Sequence, residues 1–134
     1  MKRVTGIGGI FFKAQDVSEM RTWYSKHLGI PVEEGGYGLF WWRDDEQPTT
    51  RKSTTWSLFT KESDYFQPST APFMINYRVE NLVALLEELR KEGVRVEDKI
   101  EEYEYGKFGW IYDPEGNKIE LWEAVDAPFE GGEA

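Results

Sequence analysis

Along the chain, alternating hydrophobic and polar positions are followed by hydrophobic positions at helical spacing, and this succession occurs twice. Alternation predicts a strand over residues 7–13, and helical spacing predicts an amphipathic helix over 16–29. The same succession returns as a strand over 73–79 and a helix over 81–93. The helices begin 65 positions apart (81 − 16) and end 64 apart (93 − 29), which indicates two related modules. Two such modules in a small chain are expected to face each other across a cleft.

Each predicted helix has its own start and stop residues. Asp16, with Glu19 three positions later, has the pattern of a capping box, and Gly29 ends the helix. Asn81 and Gly93 take these places in the second helix. Apolar residues at helical spacing predict one buried stripe on each helix, made of Met20, Trp23, Tyr24 and Leu28 in the first and Leu82, Leu85, Leu86 and Leu89 in the second.

Three strand-like runs follow each helix, so each half is predicted to be a βαβββ module. The fold class expected is therefore α+β, with two tandem βαβββ modules. The runs cover residues 30–34, 37–43 and 53–60 in the first half and 94–99, 107–112 and 118–123 in the second.

Chain length and segment spacing predict one domain. A chain of 134 residues is long enough for one continuous core. We expect a single domain over residues 1–124, with module one at about 4–60, a linker at about 61–72 and module two at about 73–123. Residues 125–134 are predicted to form a flexible acidic tail.

Composition excludes several classes of function. Lys and Arg total 16 against 25 Asp and Glu, and the net charge of −9 disfavours nucleic acid as a partner. No apolar run suggests a signal peptide or a membrane span, so we expect a soluble cytoplasmic protein without a membrane partner. The absence of cysteine removes disulfides, thiolate nucleophiles and sulfur-ligated zinc. Aromatic residues form 16% of the chain, more than a core alone requires, which favours an aromatic pocket.

Two motifs resemble those of the vicinal oxygen chelate superfamily, which contains glyoxalase I, bleomycin-resistance proteins and extradiol dioxygenases. One is Asp16 with Trp23-Tyr24 and Leu28-Gly29, and the other is the closing hairpin over residues 113–122. The resemblance spans about residues 4–123 and is nearest to small stand-alone bacterial members. It implies curved mixed sheets around a central cavity, with the helices on the outside.

The resemblance also implies four places for metal ligands, which here fall on Gly9, near Ser57, on Met74 and on Glu120. Only Glu120 is a good ligand, because glycine has no side-chain donor and a thioether binds hard or borderline cations poorly. We therefore expect no metal and no other cofactor. The one histidine, His27, is expected on the helix side rather than in the cavity.

Strand alternation and the resemblance together give a set of candidate site residues. Glu120 is the candidate catalytic group, because a carboxylate among apolar walls can act as a general base without a metal. Inward strand positions and large rings give the candidate ligand-binding residues Phe11, Lys13, Trp42, Trp56, Phe66, Asn76, Arg78, Trp110 and Trp122.

Arg78 has two possible roles at this stage. It could pair with Glu120 across the sheet, or it could grip the carboxylate of a ligand. The second possibility favours a metal-free protein of the bleomycin-resistance kind that binds a small anionic or aromatic molecule.

Two other functions are possible. One is a lyase or isomerase of the glyoxalase type that acts on a small carbonyl or hydroxy compound with Glu120 as base. The other is a structural or regulatory module without a ligand. By the resemblance, a homodimer is expected in each case.

Overall fold

The chain folds into one mixed eight-stranded sheet with two helices. The computed structural model describes residues 2–33 and 35–126. Within them the elements are β1 (Val4–Ala14), α1 (Val17–Leu28), β2 (Tyr37–Trp42), β3 (Lys52–Thr60), β4 (Phe73–Val79), α2 (Leu82–Lys91), β5 (Arg95–Val96), β6 (Glu101–Tyr103), β7 (Gly106–Tyr112) and β8 (Lys118–Ala124). The strand order is β2-β3-β1-β4-β8-β7-β5, and β6 pairs with β7. The predicted α+β class is confirmed.

The two modules meet at the centre of the sheet, where β1 runs antiparallel to β4. On either side the pattern repeats, because β1 is parallel to β3 and β4 is parallel to β8. Gly8 is an extra residue in β1, since Ile7 faces Tyr77 and Gly9 faces Asn76 in the register. This bulge lies beside the cavity described below.

Helix α2 behaves as its sequence predicts. The Asn81 side chain accepts a hydrogen bond from the backbone N–H of Ala84 at 3.1 Å. The four predicted leucines are buried and form a cluster with Val79 and Leu121. The helix therefore covers β5, β7 and β8 with its apolar side.

Helix α1 is capped as predicted, but half of its predicted stripe is wrong. The Asp16 carboxylate accepts from the backbone N–H of Glu19 at 2.9 Å, which is the N-cap half of a capping box. Met20 and Tyr24 pack against the cluster around Trp56, whereas Trp23 is 49% exposed and Leu28 60%. Val17, Met20 and Tyr24 form the row that meets the sheet, because the helix contacts little more than β3 and β1.

Two of the predicted strands are shorter than the sequence suggested. The predicted strand at 30–34 is reduced to one isolated bridge between Val32 and Gly38, and Glu34 lies outside the described residues. Pro31 has no N–H to donate to a ladder, which is consistent with this loss. The predicted strand at 94–99 is reduced to β5, while the unpredicted β6 pairs with another part of β7.

The chain remains attached to the sheet beyond β8. The backbone N–H of Val125 donates to the carbonyl of Tyr105 at 3.1 Å, and Asp126 forms an ion pair with Arg78. These two residues are therefore not part of a loose tail, and the rest of the predicted tail, 127–134, lies outside the described residues. No helix in the described part of the chain is long and apolar enough to cross a membrane.

Candidate functional site

A cavity of about 520 Å³ lies on the sheet face opposite the helices. Its volume is typical of sites that hold small organic molecules. Aromatic rings form most of its wall, and an amide and a carboxyl group are its strongest polar features. These residues are Phe11, Tyr37, Tyr105, Phe108 and Trp122, together with Asn76 and Glu120.

Glu120 is the chemical centre of this cavity. Its side chain is buried, and each of its oxygens accepts hydrogen bonds from neutral groups. Oε1 accepts from Asn76 Nδ2 at 2.7 Å, and Oε2 accepts from Trp110 Nε1 at 3.0 Å and from the Tyr65 hydroxyl. Burial raises the pKa of Glu120, and these three hydrogen bonds act in the opposite direction.

Strand register explains most of this arrangement. Asn76 of β4 and Trp110 of β7 are the direct neighbours of Glu120 on either side of β8. Alternation then directs all three side chains to the same face. Tyr65 comes instead from the segment between the modules, and sequence reasoning did not include it among the site residues. The sequence feature that could have indicated Tyr65 is the aromatic pair Tyr65-Phe66 inside an otherwise polar segment.

The Tyr65 hydroxyl remains protonated over a wide pH range. Burial raises the pKa of Tyr65, and the nearby charge of Glu120 raises it further. The phenol is therefore a hydrogen-bond donor to the carboxylate rather than a second anion.

Replacing Tyr65 by phenylalanine is expected to raise the pKa of Glu120 further, because the hydrogen bond from Tyr65 is the largest of the effects that lower it. The carboxyl pKa is measured by ¹³C NMR titration. A native carboxyl pKa above the unfolded value makes the native state bind more protons, so stability falls as pH rises through the interval between the two values. In Tyr65→Phe the pH range over which stability falls should extend to higher pH, because its upper limit is the native pKa of Glu120.

Tyr112→Phe is the matched control for that experiment, because the Tyr112 hydroxyl donates to Glu97 and not to Glu120. It should leave the titration of Glu120 where it is. An unchanged or lower pKa of Glu120 in Tyr65→Phe would contradict the role assigned to the phenol.

Arg78 does not pair with Glu120, so that sequence-based alternative is wrong. Its guanidinium is buried, donates to the carbonyl of Ser53 at 3.0 Å and pairs with Asp126. It also lies near the rings of Trp42 and Trp122, with 5.5 and 4.8 Å to their centres. The cation is therefore held by groups of the protein itself, and it also lines a second, polar cavity together with Asp126.

Three of the predicted ligand-binding residues line the cavity, namely Phe11, Asn76 and Trp122. Trp56 is misplaced by the prediction. It lies on the other face of the sheet, where it packs against Tyr24 of α1. The reason is the alternation of side chains along β3. Ser53 and Thr55 point into the cavity, so Trp56 points to the helix side.

The remaining predicted residues surround the cavity without lining it. Phe66 and Trp110 lie behind Glu120 in a buried cluster that also contains Met74. The Lys13 ammonium lies 5.5 Å from the centre of the Phe66 ring. Trp42 donates through Nε1 to Thr54 Oγ1 at 2.9 Å, beyond the cavity wall.

Sequence reasoning did not assign Gly8, Tyr37, Leu39, Ser53, Thr55, Tyr105 or Phe108 to the cavity. Alternation along β3 could have found Ser53 and Thr55, since they share the parity of Ser57. Alternation could not find Gly8, because the bulge in β1 interrupts the regular alternation at this residue. A side chain at Gly8 would collide with the Asn76 amide oxygen, so glycine is needed for the close approach of these strands.

The metal places implied by the family resemblance do not fit a metal centre. A β-carbon at Gly9 would lie 2.5 Å from the Phe11 ring, and Met74 is buried among aromatic rings. Both oxygens of Glu120 already accept hydrogen bonds. In residues 2–33 and 35–126, no three His, Cys, Asp or Glu side chains lie close enough to hold a metal ion.

A mixed sheet of two related modules, with helices on one face and an aromatic cavity on the other, defines the glyoxalase class of fold. The model of the Glyoxalase/Bleomycin resistance protein/Dioxygenase superfamily matches residues 6–121, and the chain belongs to this superfamily. No curated protein matches the sequence.

Solved structures show the same architecture at low sequence identity. Methylmalonyl-CoA epimerase from Mycobacterium tuberculosis is 20% identical with a TM-score of 0.63, over 91% of this chain and 89% of that one. A variant of the Streptomyces coelicolor epimerase is 16% identical with a TM-score of 0.63, over 91% and 99%. A superfamily member from Vibrio splendidus 12B01 is 9% identical with a TM-score of 0.55, over 87% and 97%. At these identities the likeness shows the fold alone.

Proposed function

We propose that this protein binds a small, mainly aromatic organic molecule in the cavity above Glu120, without a metal. The observation that carries the proposal is the cavity itself, whose wall is made of rings and whose floor holds a buried carboxyl group. Packing alone does not require that group, because burying a carboxylate is unfavourable even when neutral groups donate hydrogen bonds to it. A flat ligand would bury apolar surface against the rings.

The geometry gives less support to an anionic ligand than the sequence did. Arg78 was the expected partner for a ligand carboxylate, but its guanidinium is engaged by Ser53 and Asp126. A ligand anion in the aromatic cavity would instead face Glu120. The aromatic part of the expectation is retained in the proposal, and the anionic part is not.

Blocking the cavity should abolish ligand binding. Leu39 lines the wall, so Leu39→Trp places an indole where a ligand would lie. We expect indole and 2-naphthol to raise the melting temperature of the wild-type protein and to have no effect on Leu39→Trp. Leu28→Trp, at an exposed position on α1, is the matched control and should respond like wild type. Equal stabilisation of the blocked variant, or no stabilisation of any form, would refute the proposal.

An enzyme of the lyase or isomerase type is the second candidate, supported by the raised pKa of Glu120 at the cavity floor. In that case Glu120 removes a proton from a carbon next to a carbonyl and returns it, and Tyr65 and Asn76 orient the carboxylate. Methylmalonyl-CoA is a reasonable first substrate to test, given the epimerases of the same fold. Exchange of its C2 proton with deuterated water, resistant to a chelator and lost in Glu120→Gln, would support this candidate.

We also propose a homodimer in the cytoplasm. On the helix side, Val4, Ile7, Ile10 and Phe73 form an exposed apolar strip along β1 and β4. Such a strip is typical of a protein contact surface. Sedimentation equilibrium would measure the association, and a monomer at all concentrations would contradict it.

A further inference from the structure

The charge of the cavity depends on Glu120. Of the residues that line the cavity, within the described part of the chain, Glu120 is the one Asp, Glu, Lys or Arg. Its three hydrogen-bond donors, Asn76, Tyr65 and Trp110, are all neutral. The hydrogen bonds therefore stabilise the carboxylate without cancelling its charge.

Lys118 and Arg78 form hydrogen bonds or ion pairs with other groups, although the charge of Lys118 still lowers the pKa of Glu120. Lys118 donates to the backbone carbonyls of Tyr65 and Gln67, at 3.0 and 3.1 Å. Arg78 is paired with Asp126. Neither side chain forms a direct ion pair with Glu120, so among residues 2–33 and 35–126 the carboxylate has no counter-ion in contact with it.

The floor of the cavity also has more acceptors than donors. A carboxylate oxygen can accept two hydrogen bonds, and Oε1 of Glu120 accepts one from Asn76. The amide oxygen of Asn76 is buried without a donor from the described residues. A ligand that reaches this floor is therefore expected to donate hydrogen bonds to it.

The walls favour the same kind of ligand. Tyr37, Tyr105, Phe108 and Trp122 all line the cavity, and the rings of Phe108 and Trp122 stack with their planes 7° apart. The face of an aromatic ring attracts a cation, most strongly where water is excluded. The net charge of −9 adds a long-range attraction for positively charged molecules.

We propose that the cavity selects an organic ammonium ion, whose N–H groups donate to Glu120 and whose hydrocarbon part contacts the rings. This inference rests on the proposed function and names the class of its ligand. It reverses the preference for an anion that the sequence suggested, because Arg78 is paired with Asp126 and Glu120 is held by neutral donors.

Three probes with the same phenyl body test this inference on the full chain: 2-phenylethylammonium, 2-phenylethanol and 3-phenylpropionate. Dissociation constants are measured by calorimetry and by tryptophan fluorescence. We expect the ammonium ion to bind about tenfold more tightly than the alcohol, since its charge is opposite to that of the Glu120 carboxylate whereas the alcohol is neutral. The carboxylate should bind most weakly.

Glu120→Gln should reduce the advantage of the ammonium ion to about twofold or less, because the amide carries no charge and has one acceptor oxygen where the carboxylate has two. If this variant is poorly folded by circular dichroism, Tyr105→Leu provides a second test. It should weaken binding of the ammonium ion more than of the alcohol, because it removes a ring from the cavity wall. Tyr103→Leu is its control, since Tyr103 stacks on Tyr105 but does not line the cavity.

The possible failures can be distinguished. Equal binding of the alcohol and the ammonium ion, or tightest binding of the carboxylate, would refute the selection of a cation and leave the cavity as a binding site. If none of the three probes binds but indole and 2-naphthol do, the ammonium inference alone is refuted, and if none of the five compounds binds, both proposals are refuted. An advantage of the ammonium ion that persists in Glu120→Gln would refute the role of the carboxylate.

Discussion

Replacing Phe66 by alanine is expected to lower the free energy of unfolding by about 3–5 kcal/mol, the usual cost of removing a fully buried aromatic side chain. Phe66 has no exposed surface and packs with Phe11, Met74 and Trp110. It also anchors the segment between the two modules to the sheet. The loss is measured by urea or thermal denaturation, and it is a large part of the stability of a domain of this size.

Phe40→Ala is the matched control, because Phe40 is 42% exposed in β2. It removes the same side chain from a position that remains in contact with water, so its effect should be much smaller. Similar losses in the two variants would contradict the central place of Phe66. We also expect the phenol of Tyr65 to lose its fixed position in Phe66→Ala, which would raise the pKa of Glu120 as in Tyr65→Phe.

Replacing Asp126 by alanine is expected to destabilise the fold by about 2–3 kcal/mol, because it removes the counter-charge of a buried guanidinium. Arg78 is 2% exposed, and its remaining hydrogen bond goes to the carbonyl of Ser53. We place the loss below that of a fully buried pair because the Asp126 side chain is 19% exposed. Water can therefore reach the cation once the carboxylate is gone.

Glu46→Ala serves as the control for Asp126→Ala. Glu46 also pairs with a cation, Lys2, but both side chains are largely exposed. Such pairs contribute little, so no measurable change in stability is expected. If Asp126→Ala also left the free energy of unfolding unchanged, the burial of Arg78 would not depend on this ion pair. The cation would then be free for a ligand, as the sequence first suggested.

The fold could be predicted well from the sequence because its signals are local. Asp16, Gly29 and Asn81 begin or end helices through bonds to residues within one turn. The leucine row of α2 fixes which side of that helix faces the sheet. The predictions failed where a partner decides the outcome. One example is the strand expected at 30–34, which has a single bridge to β2.

The site was harder to predict because its contacts join distant parts of the chain. With Glu120 turned inward by the family resemblance, alternation correctly directed Asn76 to the same face. It could not show that Tyr65 comes from the linker to donate to Glu120. Nor could it show that Arg78 pairs with Asp126, 48 residues further along the chain, and not with Glu120.

The sequence by itself determined the two modules, their helices, the inward position of Glu120 and the weakness of the inherited metal ligands. The modules and helices follow from spacing over a few positions, whereas the inward position of Glu120 and the places of the metal ligands come from the family resemblance. Only the tertiary structure decided which charged side chains form ion pairs. It gave Arg78 a partner and left Glu120 with neutral donors, and this pairing sets the sign of the ligand that the cavity favours. Electrostatic interactions depend on distance in space and on burial, and neither quantity is written in the order of residues.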